Sequence, residues 1–484
     1  GRTEIVNRAP RPLGRGDGVD LPENEGFVAG EPAYATTVKQ AGRLAVEAWR
    51  QQGYPKAGIA DQAVTANHDS GELNARLTVE PGGYAVYGPV SVQGTQRMRP
   101  SFVARQTGLI EGREYDPDDL KRAEKRLQRL GVFRSMSLKE AEEIDADGKL
   151  PVALTVQEMK LRRIGIGATV STLDGAGLEG YWLHRNLFGK AERLRVDANV
   201  NGIGEAGSAE NYDYGLNVNF LKPGAVDPDT DLELEVGLEQ NVFESYTERK
   251  ARTRAALVRQ FSPKLRGDVG VELSYSDVED DLGNREFLTV SLPLNVTYDR
   301  RDDPLDPMGG YFIEGELRPF YELEFDNAAT RAALEFRRYF PVWGEDTVLA
   351  LRAGAGTVFG GNREELPPDL LFFTGGGGSI RGFEFRSIGL ITGGDVVGGR
   401  SKAEFSAEMR HRINDRWGVA AFVDGGAVSA NALPGPGSDW RYGVGLGGRV
   451  YTALGPIRLD VAVPVQKRAK EPSFALYIGI GQAF

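Results

Sequence analysis

Beyond about Leu161 the sequence alternates. In Phe287–Tyr298 the even positions Leu288, Val290, Leu292, Leu294, Val296 and Tyr298 are apolar, and Thr289, Ser291, Asn295 and Thr297 fall between them. Leu232, Leu234, Val236 and Leu238 alternate with Glu233, Glu235, Gly237 and Glu239. Tyr212–Phe220, Val269–Tyr275, Ile457–Val465 and Phe474–Phe484 repeat the pattern. A period of two belongs to a strand with one apolar face. Sixteen such segments fill residues 161–484, about 20 residues for each strand and its connection.

Before Leu161 the period is that of short helices and strands. Val38, Ala41, Ala45, Ala48 and Trp49 predict a helix over Val38–Gln52, stopped at Gly53. Strands are expected at Ile59–His68 and Glu72–Glu80, joined by the turn Asp69-Ser70-Gly71. A fuller copy follows: a strand at Val86–Val92, a helix at Pro100–Thr107, and a helix opening at Asp116-Pro117 and ending at Gly131. Strands near Ser135–Lys139 and Val152–Glu158 complete a β-α-α-β-β order. The first 32 residues, broken by Pro10, Pro12, Pro22 and Pro32, read as irregular. The expected organisation is therefore a partial α+β module over 1–82, a complete one over 83–160, and an all-strand domain over 161–484.

Composition decides what kind of strand domain this is. No apolar run reaches 18 residues, which excludes a membrane-spanning helix but not a spanning barrel. The polar face is heavily charged, as in Arg193, Arg195 and Asp197 or Glu314, Glu316 and Arg318. A soluble sandwich has no use for so many charges on one side, whereas a wet lumen does. Connections alternate between short (Asn186–Lys190, Asn414–Arg416) and long (Gly202–Asn211, Ser276–Glu286, Gly360–Arg400). The fold class expected is a sixteen-stranded antiparallel transmembrane β-barrel with N-terminal α+β modules. The formal net charge of -11 opposes nucleic acid as a partner, and the absence of Cys suits an oxidising compartment. No charged-then-apolar leader opens the sequence, so a mature or trimmed form is expected.

The longest connection, 360–400, contains Gly375-Gly376-Gly377-Gly378-Ser379-Ile380-Arg381-Gly382-Phe383. Its apolar residues Ile380, Phe383, Phe385 and Ile388 argue against disorder. If the loop enters the lumen, Arg381 needs a carboxylate, and Glu404, Glu408 and Asp424 are inward-facing candidates. Ile380-Arg381-Gly382-Phe383 resembles the (V/I)RG(F/Y) loop motif of the outer-membrane assembly-factor superfamily that includes BamA, TamA and the two-partner secretion porters. The run from Asp299 through Arg301, Asp302, Pro304 and Pro307 to Gly310 is similar to that family's D-x-R-D-x-P-x-x-P-x-x-G turn. Asn186-Leu187-Phe188-Gly189 resembles its NLFG turn, and Phe422-Val423-Asp424-Gly425-Gly426 its F-x-D-x-G strand. The β-α-α-β-β modules look like its POTRA domains.

The resemblance implies that Arg381 sits inside the barrel, paired with Glu408 and Asp424. It implies an outer-membrane location with modules and both termini in the periplasm. It also implies insertion or translocation of client β-barrels and autotransporters, with no covalent chemistry. The compact barrel and Trp49-Arg50-Gln51-Gln52-Gly53-Tyr54 look most like the TamA branch. Implied partners are an inner-membrane-anchored TamB-like protein, nascent clients and outer-membrane lipid. That branch carries three POTRA modules where this chain shows two, so a two-partner secretion porter stands as the alternative, and a passive porin as a third reading. The alternation before Phe484 is similar to the C-terminal aromatic signal of outer-membrane proteins, with Gln482 departing from it. At the closing seam, Gly165 and Gly167 on the first strand and Gly479 and Gly481 on the last suggest two things. They weaken the seam into a lateral gate, or they make room for the lumen loop. No cofactor, metal site or enzymatic motif is expected. His68, His184 and His411 are far apart, and Gly394–Ser401 imitates a P-loop with Arg400 in place of its Lys.

Overall fold

The computed structural model describes residues 1–484 apart from 12–13, 15–17, 33, 68, 172–174, 204–211, 244–245, 281–282, 454, 469–470 and 472. The chain forms two compact units, Gly1–Leu161 with Arg185–Glu192, and Arg162–His184 with Arg193–Phe484.

The first unit holds two related modules. One consists of strand Thr3–Val6, helix Ala35–Arg50 and strands Gly58–Asn67 and Glu72–Glu80. Glu72–Glu80 is central, antiparallel to Gly58–Asn67 and parallel to Thr3–Val6. The opening strand corrects the expectation of an irregular start. Four residues carry too little pattern to read, yet Ile5 packs against Val38, Ala41, Trp49 and Leu77. The second module runs Val86–Gln93, helices Pro100–Gln106 and Pro117–Arg129, then Phe133–Glu140 and Lys149–Glu158. Its sheet has the same scheme, with Lys149–Glu158 central and parallel to Val86–Gln93. Asp116 starts the second helix by accepting from the Asp118 amide at 2.8 Å. Leu127 then buries against Phe102, Val103 and Leu154.

Polar contacts join the two modules. The Arg50 guanidinium donates to Glu140 at 2.6 Å and also meets the Tyr115 hydroxyl. Burial, and then the bond to Glu140, push the Tyr115 hydroxyl above its ordinary pKa. The Gln51 amide donates to Asp118 at 3.0 Å, and the Ala85 amide to the Gly53 carbonyl at 2.8 Å.

In the second unit, among the described residues, sixteen antiparallel strands close into a barrel. One strand is interrupted: Gly283–Ser291 and Leu294–Asp299 lie end to end, and both pair with Leu265–Asp280 and Gly310–Glu322. The break falls at Leu292-Pro293, where Pro293 has no N–H to give the ladder. Apolar positions face outward, as Ile164 and Ile166 show at 75% and 92% exposure. Glu404, Glu408, Asp424 and Asp460 face inward and are buried. This is the pattern that hydrocarbon outside and a polar lumen inside require, and closure brings the last strand beside the first.

Two connections differ from expectation. Ser276–Glu286 is not a loop: the strands run on to Asp280, restart at Gly283 and pair directly there. Val278 holds this extension by packing with Tyr246, Phe287 and Phe373. The loop 360–400 has local order, with helical turns at Arg363–Glu365 and Pro368–Leu370 and a small hairpin of Leu390–Thr392 with Asp395–Val397. Most of the expected loop Gly202–Asn211 lies outside the described residues, as does His68.

Candidate functional site: a lumen loop anchored to the barrel wall

The loop enters the barrel because it carries enough apolar surface to bury. Leu366, Leu370, Leu371 and Phe372 pack against Phe320, Ala329 and Val358 of the wall. The loop's tip is shaped by its own bonds: the Gly375 amide donates to Ser379 Oγ at 3.1 Å and the Gly376 amide to the Ile380 carbonyl at 3.1 Å. Gly375 and Gly376 adopt φ of 106° and 101°, open to glycine at little cost.

Arg381 is the loop's anchor. Its Nε donates to Asp424 Oδ2 at 2.7 Å, its Nη2 to Asp424 Oδ1 at 3.0 Å, and its amide to Asp424 Oδ2 at 3.1 Å. Its Nη1 donates to Glu408 at 2.5 Å and reaches Asp460 at 3.4 Å. The guanidinium also stacks 3.4 Å above the Phe422 ring. Arg381 is 2% exposed, and Asp424, Glu408 and Asp460 are 0%. The forked geometry on Asp424 is one that Arg makes and Lys cannot.

The structure thus brings Ile380, Arg381, Gly382, Phe383, Glu408 and Asp424 together. It leaves Glu404 to Arg352, at 2.9 Å, and to the Ser379 hydroxyl. Asp460, Arg410 and Arg449 complete the cluster and were not identified from sequence. Arg410 donates to Glu408 at 2.8 Å and Arg449 to Asp460 at 2.5 Å. The only signal available for them was inward parity on their strands, and many lumen charges share it. A second missed feature is a glycine row on Arg441–Thr452. A methyl on Gly443 would lie 1.8 Å from the Arg381 carbonyl, and one on Gly447 would lie 2.1 Å from Asp460. The loop backbone at Arg381 and the wall carboxylate of Asp460 occupy the space that those side chains would take.

The same cluster holds the end of the chain. The last strand spans only Ala475–Ile480, not the full alternating run to Phe484. Gly481 turns the backbone at φ 86°, and its amide bonds to the Pro456 carbonyl. Gln482 accepts from Arg449 at 2.8 Å and donates to Asp306 at 2.8 Å. Phe484 is therefore not a strand residue: it packs on Tyr339, Val348 and Ala350, and its carbonyl accepts from Arg410 at 2.9 Å. Periodicity could not reveal this, because every tail bond is long-range. Tyr477 ties the last strand to the loop, its hydroxyl accepting from the Gly382 amide at 3.0 Å and donating to the Phe383 carbonyl at 3.1 Å.

The seam glycines serve neighbouring strands, not the loop. A methyl on Gly165 would lie 2.2 Å from the Tyr181 ring, one on Gly167 2.5 Å from Glu179, and one on Gly479 3.1 Å from Arg458. Gly481 lies outside the last strand.

The turn motifs are built by carboxylates. Arg301 forks onto Asp299 at 3.0 and 2.7 Å and caps the Pro304 carbonyl. Asp302 accepts from the Asp303 and Met308 amides. Pro307 lies between Asp306 and Met308 on the same turn, and Gly310, at φ 94°, stands where a methyl would strike the Arg300 carbonyl. The turn Arg185–Glu192 packs with the first unit: Asn186 Oδ1 accepts from Ala191 at 3.0 Å, and the Gly189 carbonyl accepts from Arg99 at 2.8 Å. The P-loop-like run leads into strand Ser401–Arg412, so no helix N-terminus is present to hold a phosphate. Among the described residues no group of His, Cys, Asp and Glu is arranged for a metal.

An apolar-outside, charged-inside barrel with an anchored lumen loop and appended α+β modules defines a class, the outer-membrane β-barrel with POTRA modules. Residues 186–484 match the model of the Omp85 superfamily domain, and residues 85–159 match the POTRA model described as surface antigen variable number repeat. The chain belongs to the Omp85 superfamily. It is 24% identical over 416 residues to the outer membrane protein assembly factor BamA of Nitratidesulfovibrio vulgaris, covering 82% of this chain and 51% of the relative. The chain thus spans about half the length of that relative. Among solved structures, BamA from Haemophilus ducreyi lacking POTRA domains 1-3 superposes with a TM-score of 0.70 at 16% identity, over 93% of this chain and 94% of that one. CdiB from Acinetobacter baumannii gives 0.58 at 14% identity, over 98% and 89%.

Proposed function

We propose that this protein inserts or translocates outer-membrane clients through an opening between its first and last strands, without covalent chemistry. The observation that carries this reading is the coupling of lumen loop and closing strand. Arg381 shares Glu408 with Arg410 and Asp460 with Arg449, and those two arginines hold the tail that follows the last strand. A six-residue strand offers few ladder bonds to break, and an opened seam presents unpaired backbone groups that template a client strand.

A passive porin has no need of POTRA modules, since simple diffusion requires no periplasmic arm. On this reading the modules and both termini lie in the periplasm, where the modules bind a partner anchored in the inner membrane, of the TamB kind if the chain is of the TamA branch. A two-partner secretion porter is the second reading, favoured by the count of two modules. Pull-down of the full chain from native membranes separates them. Capture of an inner-membrane-anchored periplasmic protein, lost on deleting residues 1–82 while the barrel stays heat-modifiable, supports the first. Capture of a single large secreted protein would overturn it in favour of the second.

A further inference from the structure

We propose that the outer face of the barrel carries a binding site for one anionic phospholipid, with its phosphate held between Arg300 and Arg338 and one acyl chain in an adjoining groove. The proposal rests on the membrane-spanning fold and is independent of the insertion mechanism.

The headgroup end is a pair of arginines around two tyrosines. Tyr298 and Tyr311 stand edge-on with centroids 5.6 Å apart, and both follow the outward parity of their strands. The Arg300 guanidinium lies 5.9 Å from the Tyr311 centroid and that of Arg338 5.8 Å from it, so both cations gather at one ring. The turn fixes this arrangement: the Arg300 amide donates to the Tyr311 carbonyl at 2.8 Å, and Tyr311 pairs with Arg338 across the ladder. Charge balance marks the pair out. Their inward neighbours Arg301 and Arg337 have carboxylates, Asp299 at 2.7 Å and Glu335 at 2.5 Å. Arg300 and Arg338 have none among the described residues. Two uncompensated cations beside aromatic rings, where a barrel leaves the hydrocarbon, match a phosphodiester that carries no headgroup amine.

The acyl end lies on the same strands. A groove of about 660 Å³ opens on the outer face. Its floor is one row of the sheet, Gly267, Val296 and Gly315, paired side by side. Leu257, Val269, Leu294 and Leu317 wall it. Val296 precedes Tyr298 by two residues, so the groove begins roughly 7 Å from the headgroup rings. The separation suits the first carbons of a chain whose phosphate sits on the arginines. Because the groove faces lipid, a hydrocarbon chain is the occupant its surroundings supply.

The test is native mass spectrometry of the full protein in micelles doped with equal phosphatidylglycerol and phosphatidylcholine. The wild type should retain one phosphatidylglycerol selectively. Arg300→Gln/Arg338→Gln should lower that retention about thirtyfold, from about 1 kcal/mol for each cation near an anionic headgroup. Arg416→Gln, an exposed arginine on another turn, should leave it unchanged. Gly315→Leu, whose first carbon meets the Val296 side chain at 3.3 Å and otherwise only ordinary contacts with Leu334 at 3.8 Å and the Ala333 carbonyl at 4.0 Å, should fill the groove and lower retention with the arginines intact. Heat-modifiable migration verifies that each variant is folded. The proposal is overturned if the wild type shows no preference between the lipids, if the double variant keeps it, or if Arg416→Gln loses it equally.

Discussion

Replacing Arg381 with Ala should release the lumen loop without unfolding the barrel. The cost falls mainly on one residue. Glu408 keeps Arg410 and Arg449 as partners, and Asp460 keeps Arg449 and Arg458. Asp424, fully buried, bonds only to Arg381 among the described residues. Breaking a buried pair from one side costs about 3–5 kcal/mol, because the remaining charge is stranded. That shifts the docked-to-released equilibrium of the loop by roughly two to three and a half powers of ten. The barrel should survive, since its ladders do not pass through the loop. Hydrogen exchange read on peptides covering 374–390 reports loop release, and heat-modifiable migration reports barrel folding. The decisive variant is Arg381→Ala/Asp424→Asn. Removing the stranded charge should restore part of the protection lost in Arg381→Ala alone. Wild-type protection in the single variant, or a double variant worse than the sum of the two singles, would refute the anchoring argument.

Other expectations follow from particular contacts. Gly443→Ala should expel the loop or block assembly, because the new methyl meets the Arg381 carbonyl at 1.8 Å, whereas Gly448→Ala on the same strand has nothing within 4 Å and should be silent. Loop protection in the two variants, measured side by side, checks this. In the second module, burial raises the Glu158 pKa, but the amides of Met98, Arg97 and Gln96 outweigh it and hold the carboxyl below its ordinary value. A depressed folded pKa means that the stabilisation is present above the unfolded value and is lost as pH falls through the folded one. Glu158→Gln should therefore weaken exchange protection of this module at pH 7, by no more than about 1 kcal/mol because the group is partly exposed and Gln keeps one acceptor oxygen, and the difference from wild type should shrink as pH falls below the ordinary carboxylate range.

The barrel was readable because lipid allows few exceptions on one face of every strand, and sixteen alternating segments are hard to mistake. The helix at Pro117–Arg129 was readable for a local reason, its Asp116 cap and Pro117. Strand Thr3–Val6 was not, since its pairing with Ala75–Thr78 spans some seventy residues of chain. The alternation toward Phe484 suggested a longer last strand than exists. It carries no trace of Gly481's turn, of the bonds that the tail amides donate to the Pro456 and Leu305 carbonyls, or of the bond from Arg449, which together pull the tail away. The lumen shows the same division. Charge on the inward face is visible strand by strand, but which acid meets which arginine depends on register across Ser401–Arg412, Trp417–Ser429, Arg441–Thr452 and Gly455–Pro464. The motif around Arg381 narrowed that choice to Glu408 and Asp424. Asp460 and the glycine row become recognisable only in the folded barrel.

The proposed gate is the seam between Arg162–Ser171 and Ala475–Ile480. Its most direct test is a cysteine pair across that seam, in a chain with no Cys of its own, assayed for client insertion into liposomes before and after reduction. If the seam is the gate, the oxidised protein is inactive and the reduced protein recovers fully. Equal insertion by the oxidised and reduced forms would contradict it.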